Sequence, residues 1–467
     1  MAGKTVSYRI VSPAADAVAR DFLISKKFMN GGTMDTFIRA KTNDTKKVIK
    51  MLEAAKKPLI FTGKLRLFDI TGSSNDLLKW QAAFSRAVDQ REVDYLKPFG
   101  SWTKAFPTLS ACCSKIPVKI EVAFSNKTDD IVFDNLAFDK LVQWDFKRHP
   151  SVPIGRMDLA PFYILGNVYG LRGIKVTSHP TTAVAKCGGL ESSNAFVFAL
   201  HWIGSVLSGT GNNIAELFSR SVIDANYTLG DNTGGQGISA MIEGGYHTFH
   251  YLIGNGMVGY FSHEVVSKSC YQNIYEHIDL VQPGRDFGAK LERTDTEIND
   301  PWCAALETPE GFNQQSRIPA LAVDFAKALH YAAAGNENAW KEAVKLANAQ
   351  VDIRVNRGPK YLHGNEEFVK TVRKMGGAAF ALGAGGPGAM FAVLGPKGLT
   401  EDVRARFGLV PITEEVAQAV LKNNGKLKGY FPYEIDAKGM EYSGFEEAGF
   451  GITPLSPLEV VLNDGKR

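Results

Sequence analysis

The chain has 467 residues, with 53 basic and 49 acidic side chains and a net charge of +4. That balance offers no electrostatic footprint for a nucleic acid or a membrane surface, and no run of about 18 apolar residues suggests a transmembrane helix. With 45% apolar and 22% charged residues, the composition excludes a disordered chain, and the length predicts two or three domains.

The start, MAGKTVSYRIVSPAADAVARDF, lacks the continuous apolar core of a signal peptide. The five cysteines (Cys112, Cys113, Cys187, Cys270 and Cys303) are odd in number and show no C-x-x-C spacing. A reduced, cytoplasmic protein without a cysteine metal site is expected.

Residues 1–55 read as an extension. Within it, 44–57 (DTKKVIKMLEAAKK) predicts an amphipathic helix, with Val48, Ile49, Met51, Leu52 and Ala55 at helical spacing. From Pro58 the pattern changes to a strand or hairpin, PLIFTGKLRLFDITG, closing on a glycine. Alternation predicts strands at 116–124 (IPVKIEVAF) and 173–179 (GIKVTSH). Helices follow at about 193–207 and 213–227, then a loop at 229–237 (LGDNTGGQG). The next stretch, ISAMIEGGYHTFHYLIG, opens as a short helix and turns at Gly244–Gly245 into a strand. A polar, turn-rich stretch at 282–300 places the boundary between two lobes near 280–300. Beyond it, helices are expected at 320–334, 338–351 and 366–374, the last ended by Gly376–Gly377. Residues 379–394 (AFALGAGGPGAMFAVL) read as two strands joined by a glycine-rich turn.

The stretch CGGLESSNAF (187–196) sits between a predicted strand and a predicted helix. A helix start exposes unpaired N–H groups at the positive end of the macrodipole, where phosphate binds readily. Gly188 and Gly189 free the backbone, and Ser192 and Ser193 can cap the helix or hold a phosphate oxygen or Mg²⁺. Taken alone, the stretch reads equally as a turn with a serine cap, and it does not match G-x-x-x-x-G-K-[ST].

Three glycine-containing stretches follow one another: GKLRLFDITGSSNDLL (63–78), HPTTAVAKCGGLESSNAF (179–196) and LGAGGPGAMF (382–391). This ordered set resembles the GHMP kinase superfamily of small-molecule kinases, and is most similar to its branch acting on heptose phosphates and fucose. The resemblance spans roughly 58–400. It implies a two-lobe α+β fold, with an N-terminal extension at 1–55, an ATP-binding domain at 56–285 and a C-terminal domain at 286–467. ATP and Mg²⁺ are the implied cofactors. Carried over by position, Gly188, Gly189, Leu190, Ser192 and Ser193 match the phosphate loop. Asp76 matches the acid that holds sugar hydroxyls, Arg66 lies near the first motif's arginine, and Asp224 is placed like the acidic Mg²⁺ ligand, beside Ser192. Gly383, Gly385, Gly386 and Gly388 match the third motif, which closes over the substrate.

Three positions depart from the family pattern. Where related kinases carry a catalytic aspartate, alignment on the closing Gly-Gly pair places Gly237. Glycine accepts no proton. Asp231, Glu243 and His247 are neighbours in sequence that could replace it, with Asp231 favoured because it sits in the same loop; a turn residue, a structural group and a solvated group are the plain alternatives. Glu191 replaces a glycine beside the phosphate loop, and Pro387 removes an N–H from the third motif. Lys64 or Arg66 could stabilise charge on a transferred phosphoryl group. Three functions remain open: a kinase for a sugar or sugar phosphate, a catalytically silent binding protein, and an ATP-driven relative such as a decarboxylase. No nucleic-acid or membrane partner is expected. The tail beyond 400 is read as packing, a lid or a homodimer contact.

Overall fold

The computed structural model describes residues 7–11, 45–55, 57–69, 103–126, 129–136, 139–179, 192–210, 214–229, 235–254, 257–287, 304–305, 307–383, 385–386, 388–452 and 458–461. Its elements form a mixed α and β architecture with two sheets.

The larger sheet has ten strands. They are β1 (Ser7–Val11), β2 (Leu59–Asp69), β3 (Thr103–Phe124), β4 (Asp130–Asn135), β5 (Lys140–Asp145), β6 (Ile174–Ser178), β7 (Tyr246–Gly254), β8 (Met257–Val266), β13 (Met440–Ser443) and β14 (Leu458–Val461). The main path runs β14-β1-β8-β7-β3-β6-β4-β5, with β2 on β3 and β13 on β2. The long β3 is the spine: one part pairs with β7 (Thr103↔Ile253 to Cys112↔Tyr246) and another with β6 (Ile120↔Ser178 to Phe124↔Ile174), while β2 runs along it. Pairing is antiparallel except for β4 with β6. Ser7 pairs with Val461 and Arg9 with Ser262, so the two ends of the chain close one edge of the sheet together.

The smaller sheet is antiparallel, β10-β11-β9-β12, from β9 (Ile278–Asp286), β10 (Ala378–Ala381), β11 (Phe391–Leu394) and β12 (Lys426–Tyr430). The strand Ile278–Asp286 already belongs to this second sheet.

The helices are α1 (Thr45–Ala54), α2 (Ser192–Ser208), α3 (Ile214–Ile223), α4 (Gln236–Glu243), α5 (Tyr271–His277), α6 (Pro309–Ala333), α7 (Glu337–Arg357), α8 (Glu366–Lys374), α9 (Leu399–Phe407) and α10 (Glu414–Lys422). Short π-helical turns cover Phe162–Val168 and Asp224–Thr228. The helix α6 starts well before the expected residue 320. Thr308 caps it by accepting from the Gly311 N–H at 3.1 Å, and Pro309 occupies the first turn, where its missing N–H costs nothing. The α6–α7 hairpin links the sheets: α6 packs on β3 and β8, and α7 on β10.

The core of the larger sheet is carried by α2, which is apolar around most of its surface. Phe61 on β2 meets Phe198 and Trp202 on α2, with ring centroids 6.5 and 5.1 Å apart. Trp202 then takes Tyr442 as a stacked neighbour at 5.0 Å and Phe445 edge-on at 5.0 Å. The tail therefore packs as part of the core, straddling from β12 in one sheet to β13 in the other. No described helix is long and apolar enough to cross a membrane.

Candidate active site

The first motif lies on β2. Arg66 is 1% exposed and sits opposite Cys113 on β3. Lys64, on the same strand, is held by the tail through Asp436 at 3.7 Å and Glu441 at 3.8 Å. Its charge is thereby balanced within the chain. Asp76 lies outside the described residues.

The second motif joins β6 to α2. Gly188, Gly189, Leu190 and Glu191 fall outside the described residues, but both flanks are placed. His179 follows β6, donates its N–H to Lys119 O at 3.0 Å and contacts Glu121 at 2.9 Å through Nε2. Ser192 opens α2, and Ser193 is half-buried in its first turn. That turn carries no acidic residue, as in α1, α4 and α5, whereas α3, α6, α7, α8, α9 and α10 each carry at least one there. Those six helices soften their own positive ends with carboxylates; the first turn of α2 does not. An anionic ligand fits such a terminus.

Asp224 is occupied elsewhere. It is buried, its Oδ1 accepts from the Thr228 hydroxyl at 2.8 Å, and its Oδ2 lies 3.0 Å from His201 Nε2, out of line for a hydrogen bond. His201 Nδ1 is 3.3 Å from the hydroxyl of Tyr169, which burial pushes up to about 12. Arg220, paired with Glu216, lies 5.9 Å from the Tyr169 ring. His201 is nine residues along α2 from Ser192, about 13 Å at 1.5 Å per residue. These contacts give Asp224 a structural role, tying the turn after α3 to the middle of α2.

The missing-aspartate position is on α4. Gly237 is buried in its first turn, after Gly235, which adopts a left-handed φ of 79°. The helix packs across β2, where the Met241 thioether fills the space beside Gly63. Of the proposed substitutes, Asp231 lies outside the described residues. Glu243, at the far end of α4, is buried and accepts from the Tyr260 hydroxyl at 3.0 Å. His247 sits on β7 opposite Ala111 and Glu264. Neither is at the start of α4.

The third motif is a strand–turn–strand. Leu382 donates its N–H to Met390 O at 2.8 Å, closing the hairpin between β10 and β11. Gly383, Gly385, Gly386 and Gly388 all have left-handed φ, from 63° to 89°. Side chains that the sequence did not single out grip the turn: Tyr361 donates to Ala381 O at 3.2 Å, Arg354 Nη1 to Gly383 O at 3.3 Å, and Gln282 Nε2 to Gly388 O at 3.0 Å. The signal for Arg354 was its place on the buried stripe of α7, seven residues beyond Ala347 and fourteen beyond Trp340.

No protein-family model and no curated protein matches the sequence. Solved structures do match the fold. A Listeria innocua protein superposes with a TM-score of 0.54 at 11% identity, covering 83% of this chain and 99% of its own. Lactococcus lactis galactokinase, complexed with galactose, gives 0.50 at 14%, covering 86% and 98%. Streptococcus pneumoniae phosphomevalonate kinase, in complex with phosphomevalonate and AMPPNP, gives 0.50 at 13%, covering 81% and 99%. The chain has the GHMP kinase fold. Galactokinase and phosphomevalonate kinase superpose equally well. Among the described residues no group of three or more His, Cys, Asp or Glu side chains gathers as a metal site. Mg²⁺ in a kinase needs only one or two protein ligands besides phosphate and water.

Proposed function

We propose that this chain is an ATP- and Mg²⁺-dependent kinase that phosphorylates a hydroxyl of a sugar or sugar phosphate. The observation carrying the proposal is the glycine-rich connection from β6 into the start of α2, whose first turn carries no acidic residue, within a GHMP fold. The galactose and AMPPNP named with two structural neighbours support the ligand classes.

In this reading Gly188, Gly189, Leu190, Ser192 and Ser193 hold the triphosphate through backbone N–H groups and hydroxyls. Ser192 is the protein ligand for Mg²⁺, which when bound supplies charge neutralisation between the phosphates. Asp76 orients an acceptor hydroxyl. Arg66 is the candidate for stabilising charge on the transferred group, and Lys64, already paired with Asp436 and Glu441, is the weaker one. Gly385, Gly386 and Gly388 shape the acceptor side. Asp231 is the candidate base. Positioning and electrostatics dominate phosphoryl transfer, so loss of a base at Gly237 costs roughly 10²–10⁴-fold and need not abolish turnover.

Gly237 favours a second reading, a catalytically silent protein that binds sugar and nucleotide. ADP release from Mg²⁺-ATP, with and without a panel of sugars and sugar phosphates, separates the two. Stimulation by one compound class is expected. Nucleotide binding without any stimulation would favour the silent protein, and failure to bind nucleotide at millimolar concentration would end the kinase proposal.

A further inference from the structure

Among the described residues, Arg354 is an arginine buried without a counter-charge. It is 8% exposed, on the core-facing stripe of α7. Two other arginines of this part of the chain have carboxylates: Arg404 meets Asp279 at 2.7 Å, and Arg373 meets Asp352 at 2.7 Å. Among the described residues no carboxylate lies within ion-pair distance of Arg354, and its Nε has no hydrogen-bond partner. Its neighbours are the Gly383 carbonyl and the Tyr361 ring, 5.1 Å from the guanidinium carbon. Neither cancels a full charge, and a buried unpaired cation is expensive to keep.

The surroundings point the same way. The carbonyl oxygens of Ala381, Gly383 and Gly388 are tied back by Tyr361, Arg354 and Gln282, so they do not present negative dipoles into the turn. At its far end, a methyl group at Gly388 would come within 2.9 Å of Arg285 Cγ, so a second arginine stem flanks the same turn. A planar guanidinium with donors still available suits a phosphate or carboxylate in a bidentate grip.

We infer that Arg354, with Gly383, Gly385 and Gly388 beside it, forms a subsite for an anionic group already carried by the acceptor, so that the preferred substrate is a sugar phosphate and not a free sugar. This rests on the kinase reading for the identity of the acceptor. The ATP phosphates are assigned to α2, on the other sheet, which leaves the anion at this turn to the acceptor. Arg354 acts here as a specificity residue.

The test is calorimetric binding of hexose and heptose monophosphates, the same sugars without phosphate, inorganic phosphate alone, and AMPPNP. Wild-type protein is compared with Arg354→Gln and Arg354→Lys. The wild type should bind its best sugar phosphate roughly 10–100-fold more tightly than the parent sugar, the range one charge-assisted contact supplies. Arg354→Gln should erase that ratio, Arg354→Lys should restore part of it, and AMPPNP affinity should stay within about twofold. Equal binding of sugar and sugar phosphate, binding of neither, an unchanged ratio in Arg354→Gln, or a loss falling on AMPPNP would overturn the inference. If Arg354→Gln does not fold, the wild-type ratio decides. Because no turnover is needed, phosphate discrimination without ADP release would sink the kinase reading and leave the subsite standing.

Discussion

His201 Nε2 lies 3.0 Å from Asp224 Oδ2, and both side chains are buried between α2 and the π-helical turn after α3. The pair fastens the end of α3 to the middle of α2. Asp224→Ala takes away the acceptor of the Thr228 hydroxyl and the charge facing His201, and is expected to cost about 2–3 kcal/mol in urea unfolding. Asp224→Asn, which keeps an acceptor, should cost less than half of that. The Mg²⁺ concentration needed for nucleotide binding should be the same in both variants. Unaltered stability together with a raised Mg²⁺ requirement would return Asp224 to the metal.

The third-motif turn sets up a paired comparison of glycines. At Gly385, with φ of 80°, an added methyl group would come within 2.7 Å of the Tyr361 carbonyl and 2.5 Å of its ring. At Gly376, with φ of 90°, it would meet nothing within 4 Å. Gly376→Ala should cost about 1 kcal/mol, the strain of the left-handed backbone alone, while Gly385→Ala should cost at least about 2 kcal/mol more. Equal losses in chemical denaturation would mean that the turn yields freely and does not hold a fixed shape.

What the sequence made legible was local. The strands at 378–381 and 391–394 were readable because two apolar runs bracket glycines that the left-handed turn requires. The helix from Ser192 was readable because strand alternation in GIKVTSH gives way to an apolar run of helical length. Pairings between distant segments were not readable: Ser7 meets Val461, and Met440 meets Gly63, across most of the chain. Such contacts depend on which sheet edge the fold leaves open, and no local spacing encodes that. Arg354 escaped for a related reason. It lies beyond the expected end of the helix at 351, and only the continuation of α7 to Arg357 carries the buried stripe of Trp340 and Ala347 on to position 354.

Cys113 and Cys270 should separate cleanly in thiol labelling. Cys113 is fully buried on β3, and burial, with Asp436 adding to it, pushes its thiol far above the usual range. The thiolate is the reactive species, so Cys113 should stay unmodified by iodoacetamide in the folded protein. Cys270 is partly exposed and should react first. Peptide mass spectrometry after labelling in buffer and in denaturant checks this. Labelling of Cys113 at a rate comparable to Cys270 in buffer would mean that the tail over β2 and β3 opens readily.

Acid should loosen the strand end that leads into the glycine-rich connection. Burial raises the Glu121 carboxyl, but the hydrogen bond from Lys119 at 2.7 Å and the imidazole of His179 outweigh it, so its folded value lies below the ordinary 4.5. A depressed carboxyl stabilises the fold above its unfolded value, and that contribution is lost as the pH falls through the folded one. The loss should therefore appear below about pH 4.5 and be absent at neutral pH. Glu121 is half-buried and its partner Lys119 is partly exposed, so the amplitude should stay at or under about 1 kcal/mol. Urea unfolding of wild type and Glu121→Gln from roughly pH 6 to pH 3 reads it out, the variant giving the shallower acid limb. Parallel curves would show that Glu121 does not tie Lys119 and His179 together at the edge of the second motif.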